Sequence, residues 1–322
     1  MFGSKQSWSG VVIAAMALGA PLTVHATPSI GGVPRPNPVP PGPPIEVAIP
    51  ELPLAIAAND GQVVRVDDMN GSNRTLLRGS SNGFAVSGIV SEGSNILTVA
   101  AGGLIIRQNL LGGTWVTVPP PVVTGVAYDA QKRLVAVSCD RGQVIRKEAD
   151  GSLTRFGSKG SGVGQFECPA GVTVDAQGHI YVADLGRIVR IDDMSGAGWT
   201  TFGARGAGAG QLNYARGVAV DGRNRIHFVD FFNRRVVRVD DMTGRGWVSY
   251  GAELVEPTGV AVDAYSRVYV ADAVADKVVR IDDMNGRNRK ELRFDRKAPN
   301  GLGGPAAVYV FPRTTAAPAN IR

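Results

Sequence analysis

Three phrases in this sequence recur almost letter for letter. Pro169-Ala-Gly-Val-Thr-Val-Asp175 returns as Pro257-Thr-Gly-Val-Ala-Val-Asp263. Ile180-Tyr-Val-Ala-Asp184 returns as Val268-Tyr-Val-Ala-Asp272, and Ile188-Val-Arg-Ile-Asp-Asp-Met194 as Val278-Val-Arg-Ile-Asp-Asp-Met284. A glycine opens each unit, at Gly88, Gly125, Gly171, Gly217 and Gly259, with spacings of 37, 46, 46 and 42 residues. Repetition at this period restricts a chain to solenoids, propellers or arrays, because one unit can bury its apolar face only against the next. Each unit holds four short strand signals separated by Gly, Asp and Asn turns. They are Gly-Val-x-Val-Asp, Ile-Tyr-Val-Ala-Asp, Val-Val-Arg-Ile-Asp, and Trp-x-x-Phe-Gly, the last at Trp199–Gly203 and, with Tyr for Phe, at Trp247–Gly251. Four strands in such a repeat is the pattern of a propeller blade.

The count comes to six. Residues 54–77 supply only the second to fourth strands of a unit, with Val63-Val-Arg-Val-Asp-Asp-Met69 as the third. The missing first strand stands at the far end, as Pro305-Ala-Ala-Val-Tyr-Val310. The expectation is therefore an all-β, six-bladed β-propeller over 54–312, in which the C-terminus donates the inner strand of the blade that the N-terminus begins. Such closure removes a free sheet edge.

The residues also carry a resemblance. Phe156-Gly-Ser-Lys-Gly-Ser-Gly-Val-Gly-Gln-Phe166, followed by Pro169–Asp175 and Ile180–Asp184, resembles an NHL repeat, and Phe202-Gly-Ala-Arg-Gly-Ala-Gly-Ala-Gly-Gln-Leu212 repeats its glycine-rich opening. The similarity covers residues 156–284 best, extends to 123–155, and fades over 54–118. It implies a six-bladed propeller and leaves function open, since such propellers include RNA-binding and protein-binding modules, sensor ectodomains and a few metal-dependent lyases.

Composition narrows the setting. Hydrophobic residues are 44% of the chain, which excludes a wholly disordered polypeptide. Two cysteines exclude a disulfide-rich scaffold and a multi-cysteine metal cluster. Residues 1–26 read as a secretory signal peptide: Lys5 gives the positive start, Gly10–Ala20 the apolar stretch, and Val24-His25-Ala26 the small-residue cleavage site. The apolar stretch is shorter than the about 20 residues that span a bilayer, although an uncleaved anchor is the rival reading. Residues 27–53 read as a linker. Val33–Pro44 is too rich in proline to form a helix or a ladder and is expected to be an extended spacer. A Pro-rich docking peptide is the alternative there. Residues 313–322 are expected to be a flexible tail. Cleavage would remove Lys5 and no acidic residue, so the formal net charge of +6 would fall by one. The expected location is secreted or periplasmic, where a mildly basic surface suits anionic ligands better than genomic DNA.

A residue present in every blade reads as architecture; a residue that breaks the repeat is a candidate for function. Arg65, Arg107, Arg146, Arg190, Arg238 and Arg280 share one position per blade, and Asp184, Asp230 and Asp272 recur at the end of the second strand. Charge-paired contacts within or between blades are expected of both sets. The Asp-Asp-Met pairs at Asp67, Asp192, Asp240 and Asp282 could offer oxygens to Ca²⁺, but Asp and Gly at a hairpin turn explain them without an ion. No cofactor and no metal site is expected. The glycine-rich loops at 157–164 and 203–210 lack the helix and Lys-Ser/Thr of a P-loop and read as flexible connections. His25 leaves with the signal, His179 precedes a second strand, and His227 takes the slot of Tyr181 and Tyr269, where it should be packed. No three-histidine site and no Ser-His-Asp set can be assembled. The residues before the opening glycines, Ser87, Thr124, Ala170, Arg216 and Thr258, include no acid or amide for a lactonase-like metal site, although Glu167, Asn213 and Glu256 could reach in from loops.

Cys139 starts the loop between the second and third strands of blade 3, and Cys168 precedes the first strand of blade 4. Both loops fall on one face of adjacent blades, and an oxidising compartment favours their pairing; two separate thiols are the alternative. The same face carries an asymmetric cluster around blade 5: Arg205, Tyr214 and Arg216 on its incoming loop, and Phe231, Phe232, Arg234 and Arg235 on the loop between its second and third strands. Aromatics beside arginines suit an anionic ligand, a glycan or a protein hot spot. Ordinary packing of the phenylalanines, with the arginines salt-bridged, is the structural alternative. The catalytic residues, if any, are unknown from sequence. The expected role is a non-catalytic binding module whose partner is a protein, a glycan or an anionic ligand on the loop face. A channel-mouth enzyme of lyase or lactonase type is the alternative, and nucleic acid is disfavoured by the secretory address. The mature form is expected to be monomeric and to hold no transmembrane domain.

Overall fold

The computed structural model describes residues 50–78, 86–92, 96–101, 103–109, 116–251, 253–297 and 302–312, all within the compact unit Ile49–Arg322. The expected signal peptide, the proline-rich stretch and the tail lie outside the described residues. Every regular element described is a strand.

Six antiparallel four-stranded sheets form, one per expected blade. Blade 2 runs Val86–Glu92, Ile96–Ala101, Gly103–Asn109, Val116–Val123; blade 3 runs Gly125–Tyr128, Leu134–Ser138, Gln143–Lys147, Leu153–Phe156. Blade 4 runs Pro169–Val174, Ile180–Asp184, Arg187–Ile191, Thr200–Phe202, and blade 5 Ala215–Val220, Ile226–Asp230, Arg235–Val239, Val248–Tyr250. Blade 6 runs Pro257–Val262, Val268–Asp272, Lys277–Ile281, Lys290–Arg293. Blade 1 is composite: Pro305–Val310 is its inner strand and pairs with Leu54–Ala58, followed by Val63–Val66 and Thr75–Arg78. Leu54 faces Val310 and Ile56 faces Val308, so the closure strand sits in register and the ring is sealed by the two ends of the chain.

The six inner strands neighbour one another in a closed circle around the axis. The opening glycines make this approach possible. A Cβ on Gly171 would lie 2.1 Å from the Arg216 carbonyl oxygen, and one on Gly217 2.9 Å from the Val260 nitrogen. Blade 1 has Ala307 at this position. The second strands are buried along their whole length in blades 1, 3, 4, 5 and 6, because both faces lie against neighbouring sheets. At about 1.5–3 kcal/mol for each large apolar side chain removed from water, the inter-blade layers hold the ring together. They are built from runs such as Ile180, Val182, Val189, Ile191 and Met194 against Val135, Val137 and Val144.

Buried charge is paired as expected. Asp184 is fully buried; it accepts from the Glu167 and Cys168 amides and from Arg187. Asp230 accepts from the Asn213 amide, Asn233 and Arg235, and Asp272 from the Val255 and Glu256 amides. The repeated arginines meet carboxylates: Arg146 to Glu148 at 2.8 Å, Arg190 to Asp192 at 2.5 Å and Arg107 to Glu92 within their own blades, and Arg280 both to Asp282 of its own blade at 3.2 Å and to Glu51, in the segment leading into blade 1, at 2.5 Å. The second Asp of each Asp-Asp-Met turn accepts turn amides, as Asp68 does from Asn70 and Ser72 and Asp193 from Ser195, which is the turn role.

Two features differ from expectation. The glycine-rich loops are ordered. Ser158–Lys159 pairs in parallel with Gln165–Phe166, and Ala204–Arg205 with Gln211–Leu212. Gln165 Oε1 accepts from the Gly162 amide and Gln211 Oε1 from Gly208, while Arg187 and Arg235 donate to the loop carbonyls. Residues 50–53 belong to the propeller rather than to the linker: Leu52 is buried, Glu51 pairs with Arg280 and Lys290, and Arg267 donates to the Pro50 carbonyl.

Candidate functional site

Antiparallel blades give the ring two faces. The turns between first and second strands, and between third and fourth, lie on one; call it the turn face. The loops between second and third strands, and the connections between blades, lie on the other, the loop face. On the loop face the axial channel opens into a cavity of about 320 Å³, lined by the positions just before the opening glycines and by Asn59, Tyr214 and the two cysteines. Those positions are Ser87, Thr124, Ala170, Arg216, Thr258 and Ala306, one from each blade. Five are small. Thr124 donates to the Pro169 carbonyl at 2.6 Å and Thr258 to the Pro305 carbonyl at 3.3 Å, so their hydroxyls tie one blade to the next.

Arg216 is the exception in this circle. It is half-buried, and among the described residues no carboxylate pairs with it. Its guanidinium lies 4.4 Å from the Phe231 ring centre and 5.5 Å from that of Tyr214. The aromatic patch is held by its backbone. The Phe231 amide donates to the Tyr214 carbonyl and the Phe232 amide to Asn213, each at 3.1 Å, while the Asn213 amide is anchored on buried Asp230 at 2.6 Å. Tyr214 and Arg234 take positive φ, 69° and 53°, which sets the sharp bends that present the rings. Tyr214, Phe231 and Phe232 pack within 4.9–6.0 Å between ring centres, and Phe232 remains 61% exposed. In blade 6 the two phenylalanine positions are Ala273 and Val274. The cluster therefore belongs to blade 5 and not to the repeat.

The structure brings together Tyr214, Arg216, Phe231 and Phe232, with exposed Arg234 on the same loop. It places the other two predicted residues elsewhere. Arg235 bonds buried Asp230 at 2.8 Å, clamps the Gly208 and Gln211 carbonyls, and lies 5.2 Å over Trp247, as Arg187 does for Asp184 and Trp199 in blade 4. It is architecture. Arg205 reaches back to Glu167 at 2.7 Å with most of its side chain in solvent. Neither Glu167, Asn213 nor Glu256 lines the channel cavity.

Cys139 and Cys168 form a disulfide that joins blade 3 to blade 4 at the rim of the same cavity. His227 is packed as expected. Its Nε2 lies 3.1 Å from Asp221 Oδ2, and burial pushes its pKa down against the pull of that carboxylate. The Asp221 carboxyl is held well below the usual range: burial alone would raise it, but His227 and the Arg225 and Arg223 amides outweigh that. Burial, with Asp175 beside it, lifts Tyr181 to about 12. Sequence reasoning missed these networks centred on Asp129, Asp175, Asp221 and Asp263. The signal was present, since each Asp is followed four positions later by Arg or His and, in three blades, six positions later by Tyr or His. Among the described residues, no three His, Cys, Asp or Glu side chains converge as a metal site would require. No helix of the described residues is long and apolar enough to cross a membrane.

Comparison with known proteins agrees with this architecture. Residues 166–187 match the family described as NHL repeat. No curated protein matches the chain. Among solved structures, a chain of a nidogen/laminin complex superposes with a TM-score of 0.65 at 14% identity, covering 82% of this chain and 100% of that one. A protein of unknown function from Bacteroides caccae superposes at 0.63 with 10% identity, covering 82% and 100%. A catalytically inactive virginiamycin B lyase from Staphylococcus aureus, in complex with quinupristin, gives 0.53 at 15% identity over 79% and 88%. At these identities the likeness is one of fold.

Proposed function

We propose, for a six-bladed propeller that carries an NHL repeat, a binding role in which an anionic group of a glycan or protein ligand is held at the channel mouth by Arg216. The observation that carries this reading is a single half-buried guanidinium, in a circle of otherwise small residues, with aromatic rings beneath it and no carboxylate on it among the described residues. A charge-assisted hydrogen bond to such a group is about twice as strong as a neutral one. Stacking on Phe231 and Tyr214 fixes the guanidinium plane, so less side-chain entropy is lost on binding. Phe232 adds exposed aromatic area, flanked by half-buried Tyr214, on which sugar rings or apolar side chains settle.

The geometry of attachment supports the same reading. Pro50–Pro53 enter on the turn face, against Arg267, Arg280 and Lys290. The loop face, with Arg216 and its aromatic rings, lies on the opposite side of the ring from this entry and is left open by it. The signal-like start and the disulfide suit a secreted or periplasmic location. A propeller seen within a nidogen/laminin complex is in keeping with a binding role.

An array of uronic-acid, sulfated and neutral oligosaccharides tests this. Wild type should retain acidic members in a salt-sensitive manner. Arg216→Ala should weaken them at least tenfold, corresponding to about 1.4 kcal/mol or more, with an unchanged melting temperature. Absence of any retained acidic member, or equal retention by the variant, would contradict the proposal.

A further inference from the structure

The interface between blades 2 and 3 is built differently from those that follow it around the ring. In blades 4, 5 and 6 the turn between third and fourth strands folds over the preceding blade. Ile191, Val239 and Ile281 are buried there, followed by Met194, Met242 and Met284, and in blades 4 and 5 Trp199 and Trp247 complete the layer. The fit is close: a Cβ on Gly196 would lie 2.1 Å from the Phe156 ring, and one on Gly244 2.2 Å from Phe202.

Blade 3 departs from this pattern at three successive points. Lys147 stands where the others bury Ile or Val, and its side chain is exposed. No methionine follows. Leu153 replaces the tryptophan, 42% exposed, after a stretch two residues shorter, since Arg190 to Trp199 corresponds to Arg146 to Leu153. A Cβ on Gly151, in this turn, would meet nothing within 4 Å. All three changes open onto one space: a cavity of about 240 Å³ on the turn face between blades 2 and 3, walled by Ile105, Leu134, Ile145 and Leu153. It is smaller than the about 300–1,000 Å³ of drug-sized sites.

We propose that this cavity is a second binding site, for a small aromatic carboxylate. The ring takes the place that tryptophan and methionine side chains fill at the next two interfaces, and the carboxylate meets Lys132 and Lys147. Charge fits this assignment. The two arginines that border the cavity are already neutralised, Arg107 by Glu92 and Arg133 by Asp129 and Glu148. Lys132 and Lys147 are exposed at the rim with no carboxylate partner among the described residues. The apolar walls favour a flat ring over a sugar, and the paired lysines favour an acid over a neutral ring.

Titration of the full chain with indole-3-acetate and with indole, followed by ligand-observed NMR and calorimetry, decides the matter. The acid should bind wild type in the millimolar range or tighter. Leu153→Trp, which supplies the missing ring from the chain itself, should weaken it at least tenfold. Lys132→Ala/Lys147→Ala, at two exposed positions that leave the core intact, should weaken the acid several-fold and leave indole unchanged. Arg216→Ala should leave both unchanged, which separates this site from the channel mouth. No binding of the acid to wild type, equal binding by the double lysine variant, or loss of binding with Arg216→Ala would overturn the assignment.

Discussion

Blades 4 and 5 are near copies, and blade 3 departs from both. In blade 4 the second strand ends in Asp184, which organises two amides and Arg187; in blade 5 Asp230 does the same with Arg235. The same position in blade 3 is Ser138, bonded to Asp140. The third strand of blade 3 begins with Gln143 instead of Arg, and its turn lacks the methionine and tryptophan that seal blades 4 and 5. What blade 3 has in exchange is a covalent link, Cys139–Cys168, to the regular blade beside it. The contrast shows that a closed ring tolerates an irregular blade when its neighbours hold it. Positions free of the repeat's packing duties are where cavities and uncompensated charge appear: Arg216 at the mouth, and Lys132 with Lys147 between blades 2 and 3.

The largest effect expected is on the ring itself. Deleting residues 305–322 leaves Leu54–Ala58 as an open edge and breaks the circle of inner strands. Since domains are stable by only about 5–15 kcal/mol in total, thermal melting of the shortened chain should show no native-like cooperative transition. A melt like that of the full chain would break the comparison at its base, because no blade could then depend on its neighbours.

Next in size is the buried carboxylate that separates the two kinds of blade. Asp184→Ala strips Arg187 and two amides of their partner, and removing one member of a buried pair costs about 3–5 kcal/mol. Ser138→Ala, at the matching place in blade 3, should cost no more than about 1.5 kcal/mol. Chemical denaturation of both variants sharpens the contrast; equal losses would remove it. Replacing both cysteines by serine should cost about 2–4 kcal/mol, the usual worth of a disulfide. Hydrogen exchange should then show the added opening concentrated in blade 3 rather than spread over blades 4 to 6.

The smallest effect concerns a difference within the regular arc. His227 stands where blades 4 and 6 have Tyr181 and Tyr269. Burial lowers its pKa in the folded chain, so below its ordinary value of 6.5 the unfolded chain takes up a proton that the folded chain resists. Its contribution to stability is thus full above that value and declines as pH falls through it. His227→Tyr should make the melting temperature change less between pH 7 and pH 5 than it does in wild type. An identical pH profile would contradict this.

Much of this was legible in the sequence, because repetition displays the same local solution several times. The closure by Pro305–Val310, the disulfide, the packing of His227 and the structural duty of the repeated Arg and Asp residues all followed from comparing one unit with another. What stayed hidden depended on contacts between segments far apart in the chain. The glycine-rich loops look flexible until Gln165 and Gln211 fold back on them and Arg187 and Arg235 close them from another strand. Arg235 could have been recognised as architecture from its match with Arg187. The consequence of Lys147 and Leu153 needed the knowledge that the outer strands of a blade face the preceding one. The role of Pro50 and Glu51 came only from blade 6, more than two hundred residues away.

One comparison bears most directly on the claim that departure from the repeat marks function. Affinity for an acidic oligosaccharide should be measured for wild type, Arg216→Ala and Arg190→Ala, one arginine unique to the channel mouth and one present in every blade. The account predicts at least tenfold weaker binding for Arg216→Ala and wild-type affinity for Arg190→Ala. Equal weakening by both, or by neither, would contradict it.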